Sequence, residues 1–320
     1  MRFRGAVLVA AGAAVVACGL EVVGNVNPIE APPDAGVTPV DVSSDDAAAP
    51  EPERIGDGGE ATTDAAPIDE TPLDAGPVVD AGPCGPSVLV DNFAQGLGKW
   101  THYGGVEQRT QGNNAYARLI AEGVPARAAG LFWVPTVKAT AFKAKFAYYV
   151  RTSDRYWYMG DGITFTWLTS TGGTTLGTNA TSGQGLGLQP GVAGYAFALD
   201  GWQNSSIGDL DAPSFSFLHI DPARGSPGSY GWHVSKRGPF YRPDVYEAWR
   251  TIELTVANGR ASALFRFSPN GTLHSLIENV PVDTSTNVVA MGFTASTGGA
   301  DAMGFFVDTV SFELTNATCN

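Results

Sequence analysis

The segment Asp200-Gly201-Trp202-Gln203-Asn204 places carboxylate, carbonyl and amide oxygens at alternate positions. Hard cations such as Ca²⁺ prefer oxygen ligands of these kinds. Two more carboxylates, Asp209 and Asp211, follow in the same loop. The spacing therefore indicates a calcium-binding loop, with a solvated surface turn as the alternative. Asp161-Gly162 is a second polar pair; taken by itself, it is typical of a turn at the start of a strand.

Paired carboxylates suited to glycoside hydrolysis are scarce in the sequence. Such enzymes place two carboxyl groups roughly 5–10 Å apart, which on one strand requires acidic residues at i and i+2 or i+4. Asp209 and Asp211 have that spacing but precede Pro213 in a loop, and no Glu-x-Asp-x-x-Glu phrase occurs in residues 84–320. Gly-x-Ser-x-Gly and His-Glu-x-x-His motifs are also missing. We therefore predict a protein without catalytic residues and keep a glycoside hydrolase as an alternative.

The N-terminus has the features of an export signal. Arg2 and Arg4 precede a short apolar run that ends at Val15-Val16-Ala17-Cys18, a motif that resembles the lipobox of bacterial lipoproteins. The run is shorter than the ~20 residues that span a bilayer. The resemblance implies a signal peptide over residues 1–17 and a lipid on Cys18. It further implies a place in the bacterial cell envelope; Gly19 favours the outer membrane, at either face. A cleaved signal with an incidental cysteine is the alternative.

Residues 18–83 are predicted to be a disordered tether. Residues 19–83 contain fifteen acidic residues and one base, Arg54, with repeated Asp-Ala-Gly and Asp-Ala-Ala phrases and many prolines. Such a composition cannot bury enough apolar surface to offset the entropy of ordering. The tether alone has a net charge of −14, against −13 for the whole chain. The rest is close to neutral and has no basic stripe, so we expect no nucleic-acid partner.

Residues 84–320 are predicted to form a single domain with a cysteine near each end. In an exported protein, Cys84 and Cys319 suggest one disulfide that closes the domain. Two free thiols are the alternative. If the bridge forms, the two ends of the domain must be neighbours in space.

Short runs of alternating apolar and polar residues recur throughout this domain, separated by Gly, Asn, Ser and Thr. Alternation at period two predicts half-buried strands, and many short strands indicate a sandwich or barrel. We therefore predict an all-β fold. The candidate strands are Val88–Phe93, Tyr116–Ala121, Phe142–Val150, Gly162–Leu168, Tyr195–Leu199, Ser214–Ile220, Thr251–Val256, Ala263–Phe267, Val288–Thr294 and Phe305–Leu314.

Several phrases, in order, resemble the L-type (legume-lectin-like) lectins. They cover nearly all of residues 88–315, and the resemblance implies a concanavalin A-like jelly-roll sandwich. The phrases are Arg127-Ala-Ala-Gly-Leu-Phe-Trp133 with Pro135, Phe142-Lys-Ala-Lys-Phe-Ala-Tyr148, Asp161-Gly-Ile-Thr-Phe165, Gly183-Gln-Gly-Leu-Gly-Leu188, Tyr195-Ala-Phe-Ala-Leu-Asp-Gly-Trp-Gln-Asn204, Trp249-Arg-Thr-Ile-Glu-Leu254 and Met291-Gly-Phe-Thr-Ala-Ser-Thr-Gly298.

The resemblance implies a sugar site built around Asp161. In that family an Asp that follows a cis peptide bond accepts from two sugar hydroxyls, and a Gly-rich segment donates a backbone N–H. Here the donor segment is Gly183-Gln184-Gly185, and Gln184 stands where the family usually has the contacting glycine. That departure would matter if the position required a positive φ. A flexible Gly-rich hairpin is the alternative for this segment.

The resemblance also assigns the metal loop. It implies that Asp200, the Trp202 carbonyl and Asn204 bind Ca²⁺, with Asn204 and the Trp202 ring also facing the sugar. Asp209 completes the ligand set, and Asp211 is the alternative. The family's glutamate for a second, transition metal is replaced by Ala198, and His219 lies too late to act as its histidine. We therefore expect no second metal.

The segment Gly299-Ala300-Asp301 corresponds to the loop that selects monosaccharides in the family, and Gly299 and Ala300 are predicted to touch the sugar. The sequence thus predicts a membrane-anchored, glycan-binding protein that meets the membrane through its lipid alone. The alternatives are a hydrolase of the same fold and an adhesion or structural module that binds no sugar.

Overall fold

The computed structural model describes residues 87–151, 160–204, 212–224, 233–236, 246–268, 271–299 and 303–319. All of them lie in one unit of the chain, Ala65–Asn320. The predicted signal peptide, the lipidation site Cys18 and the tether lie outside the described residues, as does Cys84. Within the described ranges, we find no helix with the length and apolarity needed to cross a membrane.

Nearly all regular structure in the described ranges is β-strand. The strands are β1 (Val88–Asp91), β2 (Thr101–Tyr103), β3 (Glu107–Gln111), β4 (Asn114–Ile120), β5 (Ala128–Trp133), β6 (Ala141–Arg151), β7 (Asp161–Ser170), β8 (Ala193–Asp200), β9 (Ser214–Ile220), β10 (His233–Lys236), β11 (Arg250–Ala257), β12 (Arg260–Arg266), β13 (Leu273–Pro281), β14 (Ala290–Thr297) and β15 (Gly304–Thr315).

These strands form two antiparallel sheets. The back sheet has the order β13-β12-β11-β6-β15-β4-β3, and β1 pairs with the later part of β15. The front sheet has the order β10-β9-β8-β7-β14-β5-β2. Neighbours in both orders include strands far apart in sequence, as in a jelly roll. The predicted all-β sandwich of concanavalin A type is confirmed.

Aromatic side chains fill the space between the sheets. Phe165 of the front sheet lies 5.4 Å from Phe146 and 5.3 Å from Phe312, both of the back sheet, measured between ring centroids. All three rings are at most 4 % exposed. Burial of each phenylalanine side chain contributes about 1.5–3 kcal/mol, so this layer is the main source of cohesion between the sheets.

Each of the ten candidate strands overlaps an observed strand, with ends that differ by up to three residues. The list of candidates omitted β2, β3, β10 and β13, which are all at or next to a sheet edge, and β5, which only the lectin resemblance indicated. Strand β3 is mostly exposed and has the sequence Glu-Gln-Arg-Thr-Gln, so it lacks the alternation that would reveal it.

The sandwich has two distinct ends. At the Asp161 end, β7 begins at Asp161 and β8 finishes at Asp200, and these two strands pair. At the opposite end, the described chain begins at Ser87, whose carbonyl accepts from the Leu314 N–H at 2.8 Å. Thr318, next to Cys319, pairs there with Lys138. The domain's first and last described residues are therefore neighbours, which is the geometry that the predicted Cys84–Cys319 disulfide requires.

Candidate functional site

Asp161 lies at the end of the front sheet, between two neighbouring strands. It pairs with Thr297 of β14 on one side, and its carbonyl accepts from the Gly201 N–H at 2.6 Å on the other. The Gly160–Asp161 peptide bond is cis, as the lectin resemblance implies. The Asp161 side chain is only 4 % exposed. A buried carboxylate needs fixed polar neighbours, so its surroundings define the candidate site.

The Gly183–Gly185 segment lies beside this carboxylate. A β-carbon placed on Gly183 would be 3.4 Å from Asp161 Oδ2. The segment is a 3₁₀ turn; Gly183 has a φ of +67°, whereas Gln184 has no positive φ. Glutamine at position 184 is therefore compatible with this backbone. The Ser296 hydroxyl donates to the Gly183 carbonyl at 2.7 Å, so the turn is attached to β14 and is not a free hairpin.

A chain of buried hydroxyl groups holds the next residue of this loop. The Thr294 hydroxyl donates to the Leu186 carbonyl at 2.6 Å. The hydroxyl oxygen of Thr294 also lies 2.7 Å from the hydroxyl oxygen of Thr164. The Thr164 hydroxyl oxygen lies 2.7 Å from the hydroxyl oxygen of Thr166. Each hydroxyl has one proton, and that of Thr294 is used on Leu186. Thr164 must therefore donate to Thr294, and Thr166 to Thr164, so that all donations run towards the loop.

Residues 176–192 cover the outer face of the front sheet and form a second apolar layer with it. We call this layer the loop core; its buried members are Phe132, Leu168, Leu186, Leu188, Val192, Ala196, Ala198, Leu218, Ile220 and Ala290. Tyr103 packs against it, and the Tyr103 hydroxyl donates to the Gly187 carbonyl at 2.7 Å. Burial raises the pKa of Tyr103 above its usual value, which keeps this donor protonated.

The predicted metal loop begins directly beside Asp161. The Asp200 Oδ1 atom accepts from the Trp202 N–H at 3.0 Å, which closes a tight turn after β8. This turn brings Trp202 over Gly160: a β-carbon on Gly160 would lie 2.5 Å from the Trp202 Cβ. Trp202 is 40 % exposed and is one of the few large apolar side chains that are exposed in the described part of the chain. Asn204 is half-buried in the same loop.

The end of β14 completes the rim. A β-carbon on Gly298 would lie 3.7 Å from Asp161 Oδ2, and Gly299 is exposed next to it. The Gly298 carbonyl accepts from the Ala126 N–H at 2.8 Å, so the connection from β4 to β5 joins the same rim. Ala300 lies outside the described residues.

The oxygen donors of the metal loop fit a hard cation, but they form only part of a ligand set. The structure describes Asp200 and Asn204, whereas Asp209 and Asp211 lie outside the described residues. Among the described residues, no three His, Cys, Asp or Glu side chains cluster as metal ligands would. Ala198 lies in the loop core, and the His219 ring on β9 packs 5.1 Å from Tyr195, as expected for a strand histidine. The surroundings of Ala198 are thus apolar.

Comparison with solved structures places this fold among known proteins. No family model matches the chain, and no curated protein does. Among solved structures, the Ca²⁺-bound exoplasmic/lumenal domain of VIP36 is 15% identical, with a TM-score of 0.56 over 73% of this chain and 96% of that one. A Bauhinia forficata lectin in complex with GalNAc is 16% identical, with a TM-score of 0.53 over 72% and 98%. Basic winged bean lectin with Tn-antigen is 16% identical, with a TM-score of 0.53 over 70% and 96%. The chain therefore has the L-type lectin fold.

Sequence reasoning missed the residues that hold the site together. Tyr103, Thr164, Thr294 and Ser296 were not singled out, although all four anchor the loop that carries Gly183–Gly185. The alternation of Thr294 and Ser296 along β14 was a usable signal, because two hydroxyls two residues apart point to the same face of a strand. Tyr103 gave no such signal, since its strand is only three residues long.

Proposed function

We propose that this protein is a carbohydrate-binding, non-enzymatic lectin whose glycan site is the Asp161 end of the sandwich. One observation carries the proposal: Asp161, the Gly183–Gly185 turn and the Asp200–Asn204 segment meet at one place. A carboxylate beside a backbone turn and an exposed indole provides the groups that sugar recognition needs. Hydroxyls must exchange water for fixed polar partners, and the ring's C–H face needs an apolar surface.

The residues divide this task between them. The Asp161 carboxylate accepts from sugar hydroxyls, and an N–H of the Gly183–Gly185 turn, in which Gln184 is central, donates to the glycan. Trp202 offers its exposed ring as the stacking surface, and Asn204 adds a side-chain donor. Gly299 and Ala300 border the sugar and influence which monosaccharide fits.

We further propose that Ca²⁺ assists the site, held by Asp200, the Trp202 carbonyl, Asn204 and Asp209. A bound Ca²⁺ would fix the loop and orient its ligands. The donor set contains oxygen only, which suits a hard cation and supports the assignment. The VIP36 domain was solved in a Ca²⁺-bound form, which is a further reason to test this metal.

The proposed anchor and the proposed site are compatible in their geometry. The described chain enters the sandwich at Ser87, at the end opposite to Asp161. A lipid on Cys18 and a tether over residues 18–83 would thus join the domain at the end away from its glycan site. We propose that the protein resides in the bacterial cell envelope, at the outer membrane.

A glycan array probed with and without EDTA tests the function. Wild-type protein should bind a subset of glycans, and EDTA should remove that binding. Asp161→Ala and Asn204→Ala should each abolish binding and leave the thermal unfolding of the domain cooperative. Asp221→Asn, at the opposite end, serves as the control. Retained binding in both site variants would refute this site, and release of reducing ends would instead identify a hydrolase.

A further inference from the structure

Arg127 is an exposed arginine at the rim of the proposed glycan site. It immediately precedes β5, and its backbone is fixed by Thr297: the Arg127 N–H donates to Thr297 Oγ1 at 3.0 Å, and the Thr297 N–H donates to the Arg127 carbonyl at 2.9 Å. The Thr297 hydroxyl in turn donates to the Val124 carbonyl at 2.9 Å. Thr297 is fully buried, so Arg127 extends from a rigid support.

Arg127 and Asp161 flank the same residue. Thr297 pairs with Asp161 on one side and bonds to Arg127 on the other. Neighbouring strands lie about 4.8 Å apart, so the two backbones are separated by about 10 Å. A long arginine side chain can span much of that distance. A glycan seated at Asp161 can therefore place a substituent within reach of Arg127.

Among the described residues, the Arg127 guanidinium has no ion-pair or hydrogen-bond partner, which distinguishes it from the other arginines whose side chains the structure describes. Arg109 and Arg118 pair with Glu107, Arg151 with Glu122, and Arg266 with Glu253, while Arg250 and Arg260 donate to backbone carbonyls. An unpaired guanidinium on a rigid support is ready to bind a planar anion with two parallel N–H donors.

We infer that Arg127 forms a subsite for a carboxylate, so that the ligand is an acidic glycan containing a uronic acid. The inference rests on the proposed function, because Asp161 must seat the glycan for Arg127 to reach its carboxylate. Arg127 then compensates the negative charge of the ligand next to the Asp161 and Asp200 carboxylates, which would otherwise repel it. A neutral glycan gains nothing from Arg127.

The test uses a glycan array printed in matched pairs: glycans that contain uronic acid, and the same glycans with the carboxyl group reduced to an alcohol. Wild-type protein should prefer the acidic member of a pair by roughly tenfold, the size expected of a charge-assisted hydrogen bond. Arg127→Gln should remove the preference and leave binding of the reduced member unchanged. Arg127→Lys should keep part of it, since lysine cannot bind in the bidentate manner. Lys143→Gln, an exposed cation towards the Ser87 end, should behave as wild type.

The outcomes separate the two proposals. If wild-type protein binds both members of each pair equally, or if Arg127→Gln keeps the preference, the acidic subsite is wrong and the lectin function stands. If wild-type protein binds neither acidic nor reduced glycans, the acidic subsite is wrong; silence on the general glycan array as well shows that the lectin function is also wrong. Binding of the reduced glycans by Arg127→Gln shows that the variant is folded.

Discussion

Gly160 and Trp202 lie so close together that a β-carbon on Gly160 would be 2.5 Å from the Cβ of Trp202 and 3.2 Å from its Cγ. Real side chains do not tolerate such an approach, so any residue larger than glycine at position 160 must displace the tryptophan or its loop. Trp202 is two residues after Asp200, in the loop that is proposed to bind Ca²⁺. Because glycine at position 160 has no side chain, the indole of Trp202 can lie close to the backbone that leads into Asp161.

Gly160→Ala should weaken glycan binding by tenfold or more, because the indole moves away from its stacking position. Overpacking of this kind typically costs about 1–3 kcal/mol. The measurements are affinity for an array-identified glycan and acrylamide quenching of tryptophan fluorescence, which should increase if the ring is displaced. Gly98→Ala is the matched control, since a β-carbon there meets nothing within 4 Å. Unchanged affinity in Gly160→Ala would show that Trp202 does not stack on the ligand.

Ser296→Ala should reduce glycan affinity more than it reduces stability. The variant removes one of the two donors to the Gly183 carbonyl, the other being the Leu186 N–H, so the free energy of unfolding should fall by only about 1 kcal/mol. The turn beside Asp161 nevertheless loses its direct bond to β14, and only the Thr294–Leu186 bond at the next residue remains. Affinity and urea unfolding should be measured on the same preparations.

Thr166→Val is the matched comparison for that experiment. Thr166 is at the far end of the hydroxyl chain, and its hydroxyl bonds to Thr164 rather than to the loop. Loss of the Thr166 hydroxyl should lower the free energy of unfolding by about as much as Ser296→Ala does and should leave glycan affinity unchanged. Equal losses of affinity in the two variants would contradict a specific role for the Ser296–Gly183 bond.

Ca²⁺ should stabilise the wild-type domain against heat and should not stabilise Asp200→Asn. A ligand that binds only the folded state at a hundred times its Kd adds about 2.7 kcal/mol to the free energy of unfolding. Melting temperature is recorded during a Ca²⁺ titration after EDTA treatment. Asp221→Asn keeps the oxygen that accepts from the Ala223 N–H and should respond as wild type does. An equal Ca²⁺ response in Asp200→Asn would place the metal elsewhere.

Sequence patterns could predict the sandwich because most of its strands are long and partly buried. Strand β6 alternates buried and more exposed residues along much of its length, and this is the period-two signal that the interpretation used. The sequence pattern did not predict the edge strands, and the reason is physical. Strand β3 is mostly exposed and β2 has three residues, so neither needs the apolar alternation of a buried strand.

The supports of the candidate site were harder to foresee than its acidic residues. Asp161 and Asp200 stand in recognisable phrases at the ends of adjacent strands. The bond between Thr164 and Thr294, however, joins residues 130 positions apart, and that from Tyr103 to Gly187 joins residues 84 apart. Such contacts depend on strand order, which neither composition nor spacing specifies. Gln184 is a related case, because only the backbone shows that Gly183 carries the positive φ of the turn.

The predicted Cys84–Cys319 disulfide can be tested independently of any ligand. Ser87 bonds to Leu314 and Thr318 pairs with Lys138, so the two ends of the domain already meet without the bridge. Constraining so long a loop stabilises a fold by at most about 5 kcal/mol in the loop-entropy model. In a Cys18→Ser background, oxidised protein should resist thiol alkylation, and a reductant should lower its melting temperature. The Cys84→Ser/Cys319→Ser variant should melt at the lower temperature with or without reductant. Ready alkylation of both cysteines in the unfolded, unreduced protein would show that they are free thiols.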